Sequence, residues 1–596
     1  NFFFYSQRKC VPISVCSANM TYFRGNNSCI ANPPPPPSPS PSPSPTTSPT
    51  PPSTQPTTSP NPTTSPNPTT SPNPSSQPPS SQPTASQPPL SGASPNDADP
   101  TADEPATVEA TSPGPQPRTR PTPPADTTPE PVVDEDASRR AAEPPPPSGP
   151  KDPNQPPGFA DGFHFGSYGR VIAGGDATGR PGRDADIVAR GSRLDESNYA
   201  ELELRREDYW KKTGAYTRIV ATAAFANPMF HYNGQFDAKL ALRNLYIEET
   251  GLGAKGLSFW AGSRMYRGDD IYLLNFWPLD NLNTVGGGVG YAFGEARRTT
   301  LRAHAGLNQP TDPYYRQSVL RSPAHNQFGD TEVALLDRQK LISSLKLTHT
   351  WPVGEQGGVK GILYGEFHYV PGGQREVESK VYEDVPKDKG FVAGGQVTYF
   401  TGKRSTYVTL TGRYARGLAA YGELNAPRQL RADRTSTGAY ELLVTASGNW
   451  ERGPFAVMAG GYYRQFRNAS KGLDFDDLNE GIGIVRPTVW FGEKFGLSVE
   501  GSFQAQQRGV TWETAPGVFK PVLGKVGRVG LIPFLTPGGR GHFQRPHIYL
   551  IYLLTARDGG ARSLYASDDV YARRSLDHFI GVGAEWWFGS TSYFRD

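Results

Sequence analysis

The sequence predicts an all-β protein: an eighteen-stranded antiparallel transmembrane β-barrel preceded by a disordered, Pro-rich N-terminal extension. Three observations carry this expectation. No run approaches the ~18 consecutive apolar residues of a membrane-spanning helix, which excludes a helical membrane protein. From residue 158 onward, apolar and polar residues alternate with period two over segments of about ten residues, the length of a tilted strand crossing a bilayer. The connections between these segments are long and short in turn, which places tight turns at one end of a barrel and long loops at the other.

The extension reads first. The 61 prolines of the 596-residue chain are an average over two unlike parts. Residues 1–32 form a short head holding all three cysteines, Cys10, Cys16 and Cys29. This pattern fits a small disulfide knot in an oxidising compartment with one thiol left over, and its spacing is not that of a zinc site. The opening "NFFFYSQRKC" is not a signal peptide, because its charges follow an apolar run that is too short. Residues 33–90 are a Pro/Ser/Thr spacer with three copies of "PTTSPN", expected to be extended and polyproline-like. Residues 91–157 stay Pro-rich but turn acidic, as in "VVDEDASRR", which suggests two joined linkers. The formal net charge of +3 divides into +3 for residues 1–90, −7 for 91–157 and +7 for 158–596. The last excess is spread out, so it marks no nucleic-acid footprint.

The barrel, residues 158–596, follows. In "YELLVTASGNW" one face carries Tyr440, Leu442, Val444, Ala446, Gly448 and Trp450, and the other Glu441, Leu443, Thr445, Ser447 and Asn449. "LSVEGSFQAQQ" repeats the pattern. A soluble sandwich shares the period, so the spacing of turns decides. Strands are expected at 165–173, 199–208, 214–225, 239–249, 256–264, 284–294, 299–308, 338–350, 358–370, 390–400, 405–416, 439–450, 454–466, 483–491, 496–507, 525–534, 546–556 and 578–588. Connections such as "DYWKKT", "TGKR" and "GEK" are tight, whereas 174–198, 309–337, 371–389, 417–438 and 557–577 are long. Such a barrel is wide enough for an aqueous channel and lies in a bacterial outer membrane, in contact with its lipids, with the extension on the periplasmic side.

Several short motifs occur in order: "FHFGSYGR", "SRLDESNYAEL", "FWAGSRMYRGDDIYLLNFW", "FQRPHIYLIYLL" and "GAEWWF". Together they resemble the maltoporin, or LamB-type, sugar porins over about residues 158–588. The resemblance implies a homotrimer of eighteen-stranded barrels whose third loop folds inward to narrow the pore. It also implies maltodextrin transport along a track of aromatic side chains flanked by charged ones. By match, the aromatic positions fall on Tyr168, Tyr199, Tyr407, Phe543 and Trp587, with a sixth from a neighbouring subunit for which Tyr232 and Phe236 are candidates. The charged positions fall on Arg170, Arg193, Glu201 and Arg243. The constriction falls on Arg267, Asp270, Asn275 and Trp277, where Trp277 replaces the family's tyrosine and Asn275 an acidic residue.

Strand parity supports the aromatic assignment independently. Tyr168 shares a face with Arg170, Tyr199 with Glu201, Tyr407 with Thr409, Phe543 with Arg545, and Trp587 with Glu585, so all five point into the lumen. Sugar rings present apolar C–H faces to aromatic surfaces, while their hydroxyls seek arginine and carboxylate partners. Tyr440, Trp450, Tyr399, Trp586 and Phe588 have the opposite parity and suit the interfacial girdles.

Other chemistry is excluded or unsupported. "DFDDLNEG" lacks the ligand and glycine positions of a calcium loop, and "GGGVGYAFG" leads into a strand rather than a phosphate-binding helix. His349 and His578 face outward with no serine partner, so no hydrolase triad is apparent and no cofactor is implied. The remaining rivals are a general diffusion porin, or a barrel-anchored attachment protein whose Pro-rich stalk touches peptidoglycan.

Overall fold

The computed structural model describes four short strands within residues 3–31, and residues 155–590 apart from 157, 177–185, 227–233, 235–238, 295, 323–328, 402–404 and 471–475. The Pro/Ser/Thr tract, nearly all of the acidic tract, and Tyr232 and Phe236 lie outside the described residues. In the head, Phe3–Ser6 pairs with Lys9–Pro12 and Met20–Phe23 with Ser28–Ala31, each an antiparallel two-stranded sheet.

Eighteen strands close into one antiparallel barrel. They are β1 (Gly162–Gly175), β2 (Tyr199–Trp210), β3 (Ala215–Ala226), β4 (Lys239–Thr250), β5 (Leu257–Arg267), β6 (Asn281–Phe293), β7 (Thr299–Asn308), β8 (Lys340–Val353) and β9 (Gly357–Val370). The second half comprises β10 (Asp388–Thr401), β11 (Thr406–Gly417), β12 (Tyr440–Arg452), β13 (Phe455–Arg467), β14 (Leu478–Phe491), β15 (Phe495–Ala515), β16 (Val518–Leu535), β17 (His547–Arg557) and β18 (Leu576–Phe588). β18 pairs with β1, with Trp587 opposite Tyr168, which seals the wall. A closed wall leaves no backbone donor or acceptor facing lipid, the condition for crossing a membrane with strands.

Period-two alternation decides which face is which. On β2, Glu201, Glu203 and Glu207 are at most 1% exposed in the lumen while Leu202 and Leu204 stand 44% and 54% exposed on the outside. On β15, Glu500 and Gln504 point in and Val499 and Phe503 out. Tyr399, Trp450 and Phe588 lie on the outer face, as their parity requires. Trp586 also points outward and folds over Gly169, its indole nitrogen donating to Ser167 Oγ (3.1 Å).

Several elements depart from the sequence expectation, β14 among them, which starts at Leu478 rather than 483. β5 runs on to Arg267 rather than ending at 264, so Arg267 belongs to the strand. β15 and β16 continue past 507 and before 525 as a hairpin beyond the wall, because their pairing persists through two register shifts. Phe543, which precedes the expected strand 546–556, lies in the eleven-residue turn 536–546 that bends into the lumen. The long loops add two hairpins, Arg316–Arg321 with Thr331–Asp337 and Gly373–Glu378 with Val381–Val385.

Two long loops fold into the pore. The third loop, 268–280, makes a 3₁₀ turn at Tyr272–Leu274 and buries Ile271, Leu273 and Leu274 to 3%, 1% and 1% exposure. They pack with Leu443, Met458, Tyr462, Ile482 and Ile484 on the facing wall, β12–β14. Burying side chains of this size is worth about 1.5–3 kcal/mol each, which pins the tip across the channel. Gly460 on β13 makes the approach possible, because a Cβ there would lie 2.7 Å from Ile271. The first loop joins the same cluster through Ile187 and Val188. Its backbone is held by lumen side chains: Ile187 N donates to Gln504 (3.1 Å), Ala189 N to Glu480 (3.1 Å) and Arg190 N to Tyr462 (3.0 Å).

Candidate functional site

The inward aromatics form one continuous path. Tyr199 and Tyr168 meet at 5.9 Å between ring centres, and Tyr168 stands opposite Trp587 across the β1–β18 seam. Phe543 and Tyr407 meet at 6.4 Å. The gap between these two groups is filled by Tyr272 of the third loop, 6.1 Å from Trp587 and 6.0 Å from Phe543, both edge-on. Six rings therefore run from Tyr199 to Tyr407, five of them on the positions read from the sequence.

Tyr272 was not among those positions. The residues flanking it are buried apolar ones, and only the 3₁₀ turn sends Tyr272 toward the track while Leu273 and Leu274 face the wall. Its hydroxyl donates to Glu585 Oε2 at 2.5 Å and accepts from Arg545. Burial raises its pKa against the pull of Arg545, so it remains a donor.

Charged groups line this path. Glu585 on β18 is the hub, accepting from Arg193 (3.0 Å), Arg545 (2.8 Å), Tyr272 and, more weakly, Tyr168 (3.4 Å). Arg193 also donates to the Tyr168 hydroxyl (2.8 Å) and lies over the Tyr272 ring at 4.5 Å. Burial works against its charge, and Tyr168 and Glu585 more than offset that, holding its pKa well above the usual value. Arg545 lies over Trp587 at 3.8 Å. Arg170 pairs with Glu196 at 2.5 Å, and Arg243 pairs with Glu201 at 3.1 Å while lying 5.4 Å over Tyr199. Arg170, Arg193, Glu201 and Arg243 thus all lie beside the Tyr168 and Tyr199 end. Glu585 and Arg545 share faces with expected aromatics, and that parity was the signal that could have assigned them.

The four constriction positions separate. Arg267 donates to Asn281 (2.7 Å) and stacks on Trp277 at 3.9 Å, so this pair covers one flank of the loop. Asn275 closes the 3₁₀ turn in the left-handed region (φ 47°), its amide 3.5 Å from Glu196 of the first loop. Asp270 lines a small cavity of about 40 Å³ with Asp269, Lys360 and Tyr407. Asp269 is neutralised there by Lys360 at 2.6 Å. The third-loop side chain inside the ring path is Tyr272, not Trp277.

A closed eighteen-stranded barrel with lipid-facing apolar side chains, a charged lumen and an inward third loop is an outer-membrane porin. The family model described as LamB porin matches residues 163–588, and the chain belongs to that family. Comparison with curated proteins gives no match. Solved structures resembling it include outer membrane protein OpdK from Pseudomonas aeruginosa (12% identity, TM-score 0.35, covering 72% of this chain and 100% of that one). Acinetobacter baumannii OccAB2 (10%, 0.34, 72% and 98%) and the trimer form of Vibrio cholerae OmpT (13%, 0.30, 72% and 100%) also resemble it.

Proposed function

We propose that this porin is sugar-selective and carries maltose- and maltodextrin-type oligosaccharides across the outer membrane by facilitated diffusion, as a homotrimer with its long loops outward. The observation that supports this most is the unbroken path of six rings, Tyr199, Tyr168, Trp587, Tyr272, Phe543 and Tyr407, edged by arginines and carboxylates. A sugar moving along it exchanges one apolar surface for the next, while its hydroxyls pass from Arg243 and Glu201 to Arg193, Glu585 and Arg545. No single contact is strong, so the solute is guided without being trapped. The trimer follows from the family resemblance.

Planar-bilayer conductance with maltose-series sugars, sucrose and glucose tests the reading. Saturable reduction of the current at millimolar maltodextrin is expected. If none of the sugars reduces it, the pore is a general diffusion channel. Unheated SDS gels should show a trimer, and a stable monomer would refute that part.

A further inference from the structure

A row of unmatched cations lies on the outer face of β10–β13, where the wall meets the long loops. By parity the outward positions of β9–β14 hold no aspartate or glutamate, whereas Lys389, Arg416 and Arg467 stand at their loop ends. Arg416 is opposite Phe391 on one side and Tyr440 on the other, and Tyr440 is opposite Arg467, so one cross-strand row carries both guanidiniums. Lys389 is two residues from Phe391 and therefore diagonal to Arg416. Three strand spacings place the three cations within about 14 Å.

Lys389 and Arg416 are exposed, and neither side chain has a hydrogen bond or ion pair among the described residues. Arg467 donates to the carbonyls of Phe466 (2.7 Å) and Leu478 (2.8 Å) and to Asn479 Oδ1 (3.0 Å), none of which offsets its charge. The carboxylates of the adjoining elements are engaged elsewhere. Asp388 turns inward to the Tyr314 hydroxyl (2.7 Å) and Ser436 N (2.7 Å), and Glu441 inward to Arg413 and Arg464. In the loop after β13, Asp476 pairs with Arg428 (3.5 Å) and Asp477 accepts from Asn468 N (2.5 Å).

The same face continues toward the membrane in a fixed order. Beside and below the cations, Phe391, Tyr414 and Tyr440 form a ledge with ring centres 6.2 and 6.4 Å apart. Below the ledge, Val397, Leu410 and Val444 are 55%, 58% and 51% exposed. Charge, aromatic ledge and apolar band match an amphiphile with an anionic head; a free anion would use only the first. Arginine forks match phosphate oxygens, and basic clusters at a membrane surface hold anionic headgroups. We infer that this face holds an outer-leaflet lipid whose headgroup carries phosphate, with its acyl chains along Val397, Leu410 and Val444. The inference is independent of which solute crosses the pore and uses only the outward direction of the long loops.

The test uses the full-length porin in a neutral detergent, with diphosphoryl lipid A as the probe and bound lipid counted by native mass spectrometry. Lipid A should bind at one site per chain, about 100-fold more tightly than its dephosphorylated form, at roughly fivefold for each of three cations. Arg416→Gln should weaken it about fivefold and Lys389→Gln with Arg416→Gln about 25-fold. Lys525→Gln removes an exposed cation of β16 outside this face and should leave the affinity nearly unchanged. Equal losses in Lys525→Gln and Arg416→Gln would mean diffuse attraction and overturn the site. Displacement of lipid A by an equal concentration of inorganic phosphate would make it a free-anion site and overturn the lipid. Dissociation of Arg416→Gln porin to monomers in lipid-free detergent would make this face a contact between copies instead. Equal affinity for the two forms of lipid A on the unaltered protein overturns the inference even if no variant assembles.

Discussion

Replacing Tyr272 with alanine should widen the pore and weaken its hold on sugar at the same time. The ring touches Trp587 and Phe543, and its loss leaves a gap between the two halves of the aromatic path. An aromatic contact of this kind is worth about 0.5–1.5 kcal/mol beyond burial. A sugar spanning the gap would lose one such surface and one hydrogen-bonding partner at roughly 0.5–1.5 kcal/mol net. Together these give about 1–3 kcal/mol, a rise of roughly 5- to 150-fold in the half-blocking concentration. Tyr272→Phe keeps the ring and loses only the hydroxyl between Glu585 and Arg545, so its rise should stay at roughly 2- to 13-fold. Single-channel current in salt, titrated with maltotriose, reads both quantities. Unchanged block in Tyr272→Ala, with raised conductance confirming that the side chain had occupied the pore, would remove Tyr272 from the sugar path and break the six-ring argument.

Glu585→Gln takes the anion from between Arg193 and Arg545 and is expected to cost about 2–3 kcal/mol, below the ~3–5 of a sealed pair because the lumen holds water; the heat-modifiability transition on gels should fall accordingly and anion selectivity should rise. Gly460→Val places methyl groups where Ile271 now sits, so the third loop should lift off β13 and conductance increase; an unaltered current would mean the loop tip is not pinned there. Loop 418–439 is docked by Glu423, which accepts from Asn283 and Asn308, while Lys340 donates to the carbonyls of Gly422 (2.6 Å) and Glu423 (2.8 Å). Burial raises Glu423 from 4.5 to about 7, so docking is fully favoured below pH 4.5 and loses that contribution as the pH rises through 7. Open-channel noise should therefore be greater at pH 8 than at pH 5, and Glu423→Gln should flatten the difference. Tyr199→Ala should weaken sugar block without widening the central constriction.

The strands were legible because a wall one residue thick, lipid on one side and water on the other, forces period two on nearly every segment, as β2 and β15 show. The five aromatics were legible for the same reason together with their motif context. What the sequence concealed lies where the chain leaves the wall. Tyr272 is aimed by a 3₁₀ turn whose direction is set by Gly460, about two hundred positions away. The inward course of the first loop has no periodicity, because its N–H groups are satisfied by Gln504, Glu480 and Tyr462 rather than by neighbouring backbone. Phe543 precedes the expected strand 546–556, yet the bend of 536–546 carries it inward on the side that parity assigns.

The seam between β1 and β18 joins the first membrane strand to the last. Tyr168 and Arg170 come from one side of it, Glu585 and Trp587 from the other, and Arg193 bridges the two by donating to Tyr168 and to Glu585. An open sheet of seventeen strands would lack not a fraction of the solute path but its centre. Assembly and the lining of the channel are thereby made a single event: the rings and charges that meet at this seam face one another only in a barrel that has closed.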